Sequence, residues 1–214
     1  MVQILKYYVK NILYIFTKER AIMSFRKIDD FNRIFITGDL HLSYTLNRSI
    51  QKRGFDNPVE HTRIIRNNIN SVCTSHSDVL IINGDFTSDM DLARVFLKEI
   101  TPKNIWIILG NHDREKQIRQ LFKDRQISRI EHEIKLNWRE NQYVCHHEPM
   151  IEWNGYYRNS YLWRAHTHNT LKPYLRAMDC GLDAHNLFPV PLDKIVELRS
   201  EYSNVDEFGK RIDI

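Results

Sequence analysis

Residues 107–114 read IILGNHDR. An apolar run stops at a glycine, and an amide, an imidazole, a carboxylate and a guanidinium follow at once. Four further stretches end in the same way. GDLH at 38–41 supplies Asp39 and His41, and GD at 84–85 supplies Asp85. CHHEP at 145–149 supplies His146, His147 and Glu148, and AHTH at 165–168 supplies His166 and His168. With Asn111, His112 and Asp113 these are carboxylate, imidazole and amide donors. They suit Mn, Fe, Zn or Ni, whereas a site for Ca or Mg would use fewer histidines. A lone GD is usually a turn and a lone HxH usually a surface pair. Five clusters, each directly behind an apolar run, point instead to one shared metal centre.

Those runs must position the donors. RIFITGD (33–39), DVLIING (78–84) and NIWIILG (104–110) are rich in Ile and Val and bounded by turn residues, as strands buried on both faces are. Helical patterns lie between and after them. One runs over 57–76, with Pro58 in its first turn and Ile64, Ile65, Ile69 and Val72 at helical spacing. A second spans 88–100, with Ser88 as its cap and Asp89 and Asp91 in the first turn, and a third spans 114–123. Strand–helix–strand alternation predicts a parallel sheet with right-handed crossovers. Functional groups then gather beyond the carboxyl ends of the strands.

Glycine before Asp39, Asp85 and Asn111 predicts sharp turns that bring the next side chain inward. On an extended strand His166 and His168 point to one side, so they can serve two neighbouring metals, with Asp85 placed to bridge them. The second half, with ISRIEHEIKLNW, NQYVCHH, SYLWRAH and LRAMDCG, predicts a second, largely antiparallel sheet packed on the first. A last helix is expected over 191–200, beginning at Pro191.

The bulk composition is permissive. A chain of 214 residues with 42% hydrophobic and 27% charged residues fits one domain with a sizeable core. A net charge of +4, scattered along the chain, allows anionic substrates without arguing for nucleic acid. Three widely spaced cysteines form no disulfide framework, which favours the cytoplasm. The segment ILKYYVKNILYIF (4–16) is too short and too charged to span a bilayer and reads as an amphipathic helix. The expected organisation is an N-terminal extension over 1–30, a domain over 31–200 and a polar tail over 201–214.

The order D-x-H, G-D, G-N-H-D, H, H-x-H resembles the calcineurin-like metallophosphoesterase superfamily from residue 34 to about 170. HEPMIEWNG (147–155) and DCGLDAHNLFPVPLDKI (179–195) are similar to a group of small members common in bacteria and phages. The resemblance implies an α/β fold, a two-sheet sandwich of mixed sheets flanked by helices. It also implies a hydrolase of phosphoric esters that uses two divalent or trivalent transition-metal ions, with Mn favoured.

Carried over by position, Asp39, His41, Asp85 and His168 would hold the first ion. Asp85, Asn111, a histidine of the CHH run and His166 would hold the second. The family's usual His-x-Pro assigns His147, two residues before Pro149, with His146 as the competitor. His112 would face the phosphate as acid or transition-state stabiliser, with Asp113 orienting its ring, while a hydroxide bridging the metals attacks phosphorus. GDFTSD and GNHD depart from the protein-phosphatase pattern, which disfavours protein dephosphorylation.

Arg53, Arg114 and Arg158 are the expected substrate contacts, the first and last in loops that mix cations with aromatics. Asp183, His185 and Asn186 read as turn-forming residues or as supports behind the ligands. The expected partner is a small phosphorylated substrate. The alternatives are a nuclease acting on nucleic-acid ends and a scaffold that has lost turnover.

Overall fold

The computed structural model describes residues 26–27, 31–124 and 126–202. The helix expected over 4–16 and the end of the tail lie outside them. In chain order the elements begin with β1 (Arg26–Lys27), β2 (Ile34–Thr37), α1 (Arg48–Lys52), α2 (Pro58–Val72) and β3 (Val79–Asn83). Then come α3 (Met90–Glu99), β4 (Asn104–Ile108), α4 (Glu115–Lys123), β5 (Arg129–Glu131) and β6 (Glu133–Trp138). The remainder comprises β7 (Asn141–His146), β8 (Tyr161–Arg164), β9 (Ala177–Asp179), β10 (Val190–Pro191) and α5 (Lys194–Tyr202).

The three Ile/Val-rich runs pair as expected. β2, β3, β4 and β5 form a parallel series, and β10 adds antiparallel to the β2 edge. Their side chains alternate between two cores. Phe35, Leu80, Ile82, Ile105 and Ile107 meet Ile65 and Ile69 of α2, Phe96 of α3 and Ile118 of α4. Ile34, Ile36, Val79, Ile81 and Trp106 face the other way, onto Leu136, Tyr143, Cys145, Trp163 and Met178 of the second sheet. A strand covered on both faces has no polar alternation, which is why these runs read as continuous apolar stretches.

Two helix starts differ from expectation. α3 is capped by Asp89, whose carboxylate accepts from the backbone N–H of Asp91 and Leu92, while the Ser88 N–H bonds Leu42 O. Pro191 ends β10 at a sheet edge, where its missing donor is tolerated, and α5 begins three residues later.

The second sheet, ordered β1-β6-β7-β8-β9, is not largely antiparallel. Only β6–β7 is antiparallel, whereas β1–β6, β7–β8 and β8–β9 are parallel. Residues 147–160 and 165–176 carry the chain back across the sheet before each new strand begins. The two-sheet mixed α/β sandwich flanked by helices is thus present, with a different pairing. The stretch 127–138 also divides at His132, leaving β5 in the first sheet and β6 in the second. Because β7 and β8 are parallel, the chain leaves both at the same end, and His147, His166 and His168 leave together.

Candidate metal centre

The first three clusters meet because the chain keeps hydrogen-bonding after the strands have ended. Asp39 N donates to Gly84 O (3.0 Å), His41 N to Asp85 O (2.8 Å) and Leu42 N to Phe86 O (3.0 Å). Leu40 and Leu42 are buried in the helix-side core, so Asp39 and His41 project the other way. The backbone achieves this at a conformational cost. Asp39 (φ 56°), His41 (47°), Asp85 (52°), His166 (68°) and His168 (49°) are all left-handed. Non-glycine residues seldom adopt that region, although Asp, Asn and His do so most readily, and strain of this kind collects at functional sites.

The expected role of the preceding glycines therefore changes. Only Gly84 is itself left-handed (φ 82°), and a Cβ there would also overlap the His147 ring. At Gly38 and Gly110 the requirement is room. A Cβ at Gly38 would lie 2.8 Å from Asn83 O, and one at Gly110 would collide with Asp85.

Two groups of donors result. Asp39, His41 and His168 form one, while Asp85, His147 and His166 form the other, and within each the ligand atoms lie within 4.8 Å of one another. In the first, His41 Nε2 and His168 Nε2 are 3.2 Å apart, and the Asp39 carboxylate also accepts from His166 N (3.0 and 3.2 Å). In the second, Asn111 Oδ1 faces His147 Nε2 (3.1 Å) and His166 Nδ1 (2.9 Å). Asp85 Oδ2 lies 3.6 Å from His41 Nε2 and 3.5 Å from His147 Nε2, between the groups.

Burial drives the protonation states. It raises the Asp39 carboxyl to about 7 and lowers His41 to about 4. Burial opposes the charged forms of Asp85 and His147 too, but their mutual hydrogen bond and attraction win. Asp85 is lowered to about 2 and His147 raised to about 9. A dense cluster of lone pairs, with one carboxyl pushed up by burial, is what a cation would relieve. The donor set fits two first-row transition ions.

His147 and His146 take different partners. His147 is buried, with Nδ1 donating to Asn83 O (2.9 Å), while His146 Nδ1 turns to Glu148 O (3.0 Å). His166 and His168 converge without the extended strand that their spacing suggested. β8 stops at Arg164, and a turn of left-handed residues carries both rings. His112 is exposed, its ring 5.5 Å from that of His41 and its backbone N–H donating to Asp85 Oδ1 (2.9 Å).

Asp113 does not orient the His112 ring. Its oxygens accept from Phe86 N and Gly110 N (both 2.9 Å), closing the loop on itself and on the neighbouring strand end. Arg53 is likewise not free for substrate. Its side chain is 3% exposed, and its guanidinium bonds Asp183, Asp39 O and Leu40 O. Arg114 and Arg158 are exposed, and neither hydrogen-bonds to the two groups.

Asp179 is the support that sequence reasoning missed. Its Oδ2 accepts from Arg164 Nη1 (3.1 Å), Thr167 Oγ1 (3.0 Å) and Asn169 N (3.2 Å), which fixes the turn bearing His166 and His168. The available signal was one opposite charge in each of two apolar strands, Arg164 and Asp179, which pair in register.

The family model of the calcineurin-like phosphoesterases matches residues 32–179, which contain every donor of both groups. The chain belongs to that family. As a calcineurin-like phosphoesterase it is a hydrolase acting on phosphoric ester bonds. Its fold is similar to that of a protein of unknown function from Aquifex aeolicus, with TM-score 0.61 and 16% identity over 78% of this chain and 98% of the other. A novel archaeal phosphodiesterase aligns with TM-score 0.44 and 16% identity, over 70% and 82% of the two chains. No curated protein matches. Among the described residues of this phosphoesterase, no helix is long and apolar enough to cross a membrane.

Proposed function

We propose that this phosphoesterase is a two-metal enzyme that hydrolyses phosphomono- or phosphodiester bonds of a small phosphorylated substrate. The observation that carries this is one carboxylate oxygen, Asp85 Oδ2, within 3.6 Å of an imidazole from each donor group. Asp39, His41, Asp85 and His168 would hold one ion, and Asp85, Asn111, His147 and His166 the other. Among Mn, Fe, Zn and Ni, manganese is the metal that the family resemblance favours. When bound, the pair supplies Lewis acidity toward water and neutralises charge on the phosphoryl oxygens.

The chain's own groups do the rest. The exposed His112 ring, beside that of His41, would give a proton to the leaving oxygen or hydrogen-bond to the phosphoryl group. Asp113 would act by holding the loop that presents it. Arg114, next to this loop, and Arg158 would meet the substrate. The catalytic domain would span 31–200, and three unpaired, buried cysteines support a cytoplasmic setting.

The test is metal content and hydrolysis of bis-(p-nitrophenyl) phosphate with added Mn²⁺. Wild type is expected to bind two ions per chain and turn over. Asp85→Asn should weaken both ions together and slow turnover by a factor on the order of 10³. His112→Ala should keep both ions and lose a factor of roughly 10²–10⁴. Loss of a single ion in the first variant would end the bridging role. Near wild-type turnover in the second, with full metal content, would end the role of His112.

A further inference from the structure

Behind the first donor group lies a chain of hydrogen bonds assembled from three distant segments. His168 Nδ1 and Asp183 Oδ2 are 2.7 Å apart. Asp183 comes from the 3-10 turn Leu182–Ala184, which is anchored by Leu182 N on Gly38 O (3.1 Å). Arg53, at the end of α1, grips both Asp183 oxygens through Nε (2.9 Å) and Nη2 (2.6 Å). The same guanidinium donates to Asp39 O (2.7 Å) and Leu40 O (3.4 Å), and approaches His61 Nε2 at 3.2 Å.

We propose that Asp183, locked by Arg53, is the positioning residue that commits His168 to one tautomer and one ring orientation. The inference rests on the proposed assignment of His168 to the first ion. A carboxylate is acceptor-only, so Nδ1 must carry the hydrogen, and the lone pair stays on Nε2. Nε2 is the atom that faces His41 Nε2 across 3.2 Å.

The two-pronged Arg53 grip leaves Asp183 one rotamer and neutralises its charge. Asp183 therefore neither swings into the centre nor competes for the ion. Arg53 also braces the carbonyls of the left-handed Asp39 and of Leu40 after it. One guanidinium thus orients a ligand from the second sheet and the backbone of a ligand from the first. The second group has no such device, because His147 is oriented by the backbone carbonyl of Asn83.

The test compares wild type, Asp183→Ala, Asp183→Asn and Arg53→Lys in two measurements. In metal-free protein, at one alkaline pH at which the His168 ring is neutral, ¹⁵N-histidine NMR should report His168 as the Nδ1–H tautomer in wild type, and a mixture of tautomers in Asp183→Ala. In Mn²⁺ titrations Asp183→Ala should weaken one of the two ions by about 10- to 100-fold and leave the other within about twofold. Arg53→Lys, which keeps the charge and loses the fork, should fall in between.

An unchanged tautomer, or equal weakening of both ions, would overturn the proposal. Should Asp183→Ala fail to fold, Asp183→Asn is read by the metal affinities, where equal weakening of both ions would overturn the proposal. An acceptor oxygen remains there, so the expected result is the wild-type tautomer with a weakened first ion. If wild type binds no ions, the two-metal function fails, while the metal-free spectra still decide the role of Asp183.

Discussion

The two donor groups rise from one floor of strand ends, with Asp85 of the second lying between them, yet they are supported differently. The group of Asp39, His41 and His168 is backed by side chains. Asp183 holds His168, Arg53 holds Asp183, and Arg53 braces the carbonyls behind Asp39. In the group of Asp85, His147 and His166 the first two are backed by backbone, and only the turn of His166 is fixed by a side chain, that of Asp179. Asn83 O holds His147, and His112 N holds Asp85. Side-chain support can be removed by one substitution, whereas backbone support yields only when the backbone is displaced. The proposed first ion should therefore be sensitive to charge and hydrogen-bonding substitutions as well as to crowding beside Asp39, and the second chiefly to steric ones.

Glycine substitutions test this with the largest expected effect. A Cβ at Gly84 would occupy the space of the His147 ring, on a residue whose φ is already 82°. Gly84→Ala should cost about 2–4 kcal/mol of stability in denaturant unfolding of the metal-free protein. Its second ion should be lost while the first is retained. At Gly181 a Cβ would lie 2.6 Å from Asp39 Oδ2 and 2.9 Å from Asp179 Oδ1. Gly181→Ala should cost about 1–3 kcal/mol and weaken the first ion more than the second. If both variants weakened the same ion, the division into two separately supported groups would be wrong.

Acidity offers a milder probe. Metal uptake must displace protons from donors that the empty protein holds protonated. In the second group His147 is raised to about 9 by Asp85, in spite of burial. In the first group Asp39 is raised to about 7 by burial, and His168 is raised by its hydrogen bond to Asp183. All three shifts are upward, so protons compete harder with metal as pH falls. The second ion, behind the higher value, should weaken first, by about tenfold per unit below about pH 9. The first should follow as Asp39 and His168 take up protons. Chelator competition at pH 8.5 and pH 7 measures both affinities, and loss of the first ion ahead of the second would contradict the assigned supports.

How much of this was legible depended on how local the cause was. The five clusters announced themselves because each sits directly behind an apolar run, and the chain order of the runs sufficed to predict convergence. Even the left-handed turns fall on Asp and His, the types that tolerate them. Direction in the second sheet was not legible, since a short strand reads alike in either sense and the return segments carry no helical period. The fate of Arg53 was hidden for a different reason. Its partner lies 130 residues away, and a basic residue in a loop beside a metal motif looks the same whether it meets substrate or a buried carboxylate. Asp113 misled because a carboxylate next to an imidazole suggests pairing, while the tight 110–113 turn directs it to backbone N–H groups instead.

The smallest expected effect separates the adjacent histidines of the fourth cluster. His147 is buried at the centre with both ring nitrogens engaged, toward Asn83 O and Asn111 Oδ1. His146 ends β7, and its Nδ1 reaches Glu148 O. His147→Ala removes a donor from the second group alone, so one ion should go and the other stay. His146→Ala removes only a local hydrogen bond, costing about 0.5–1.5 kcal/mol in thermal unfolding. Both ions should then remain, with affinities within about twofold of wild type. The pair is decisive because the two rings have different partners, Asn83 O and Asn111 Oδ1 for His147 and Glu148 O for His146. An ion lost from His146→Ala would mean that the strand register, and with it the second donor group, is misassigned.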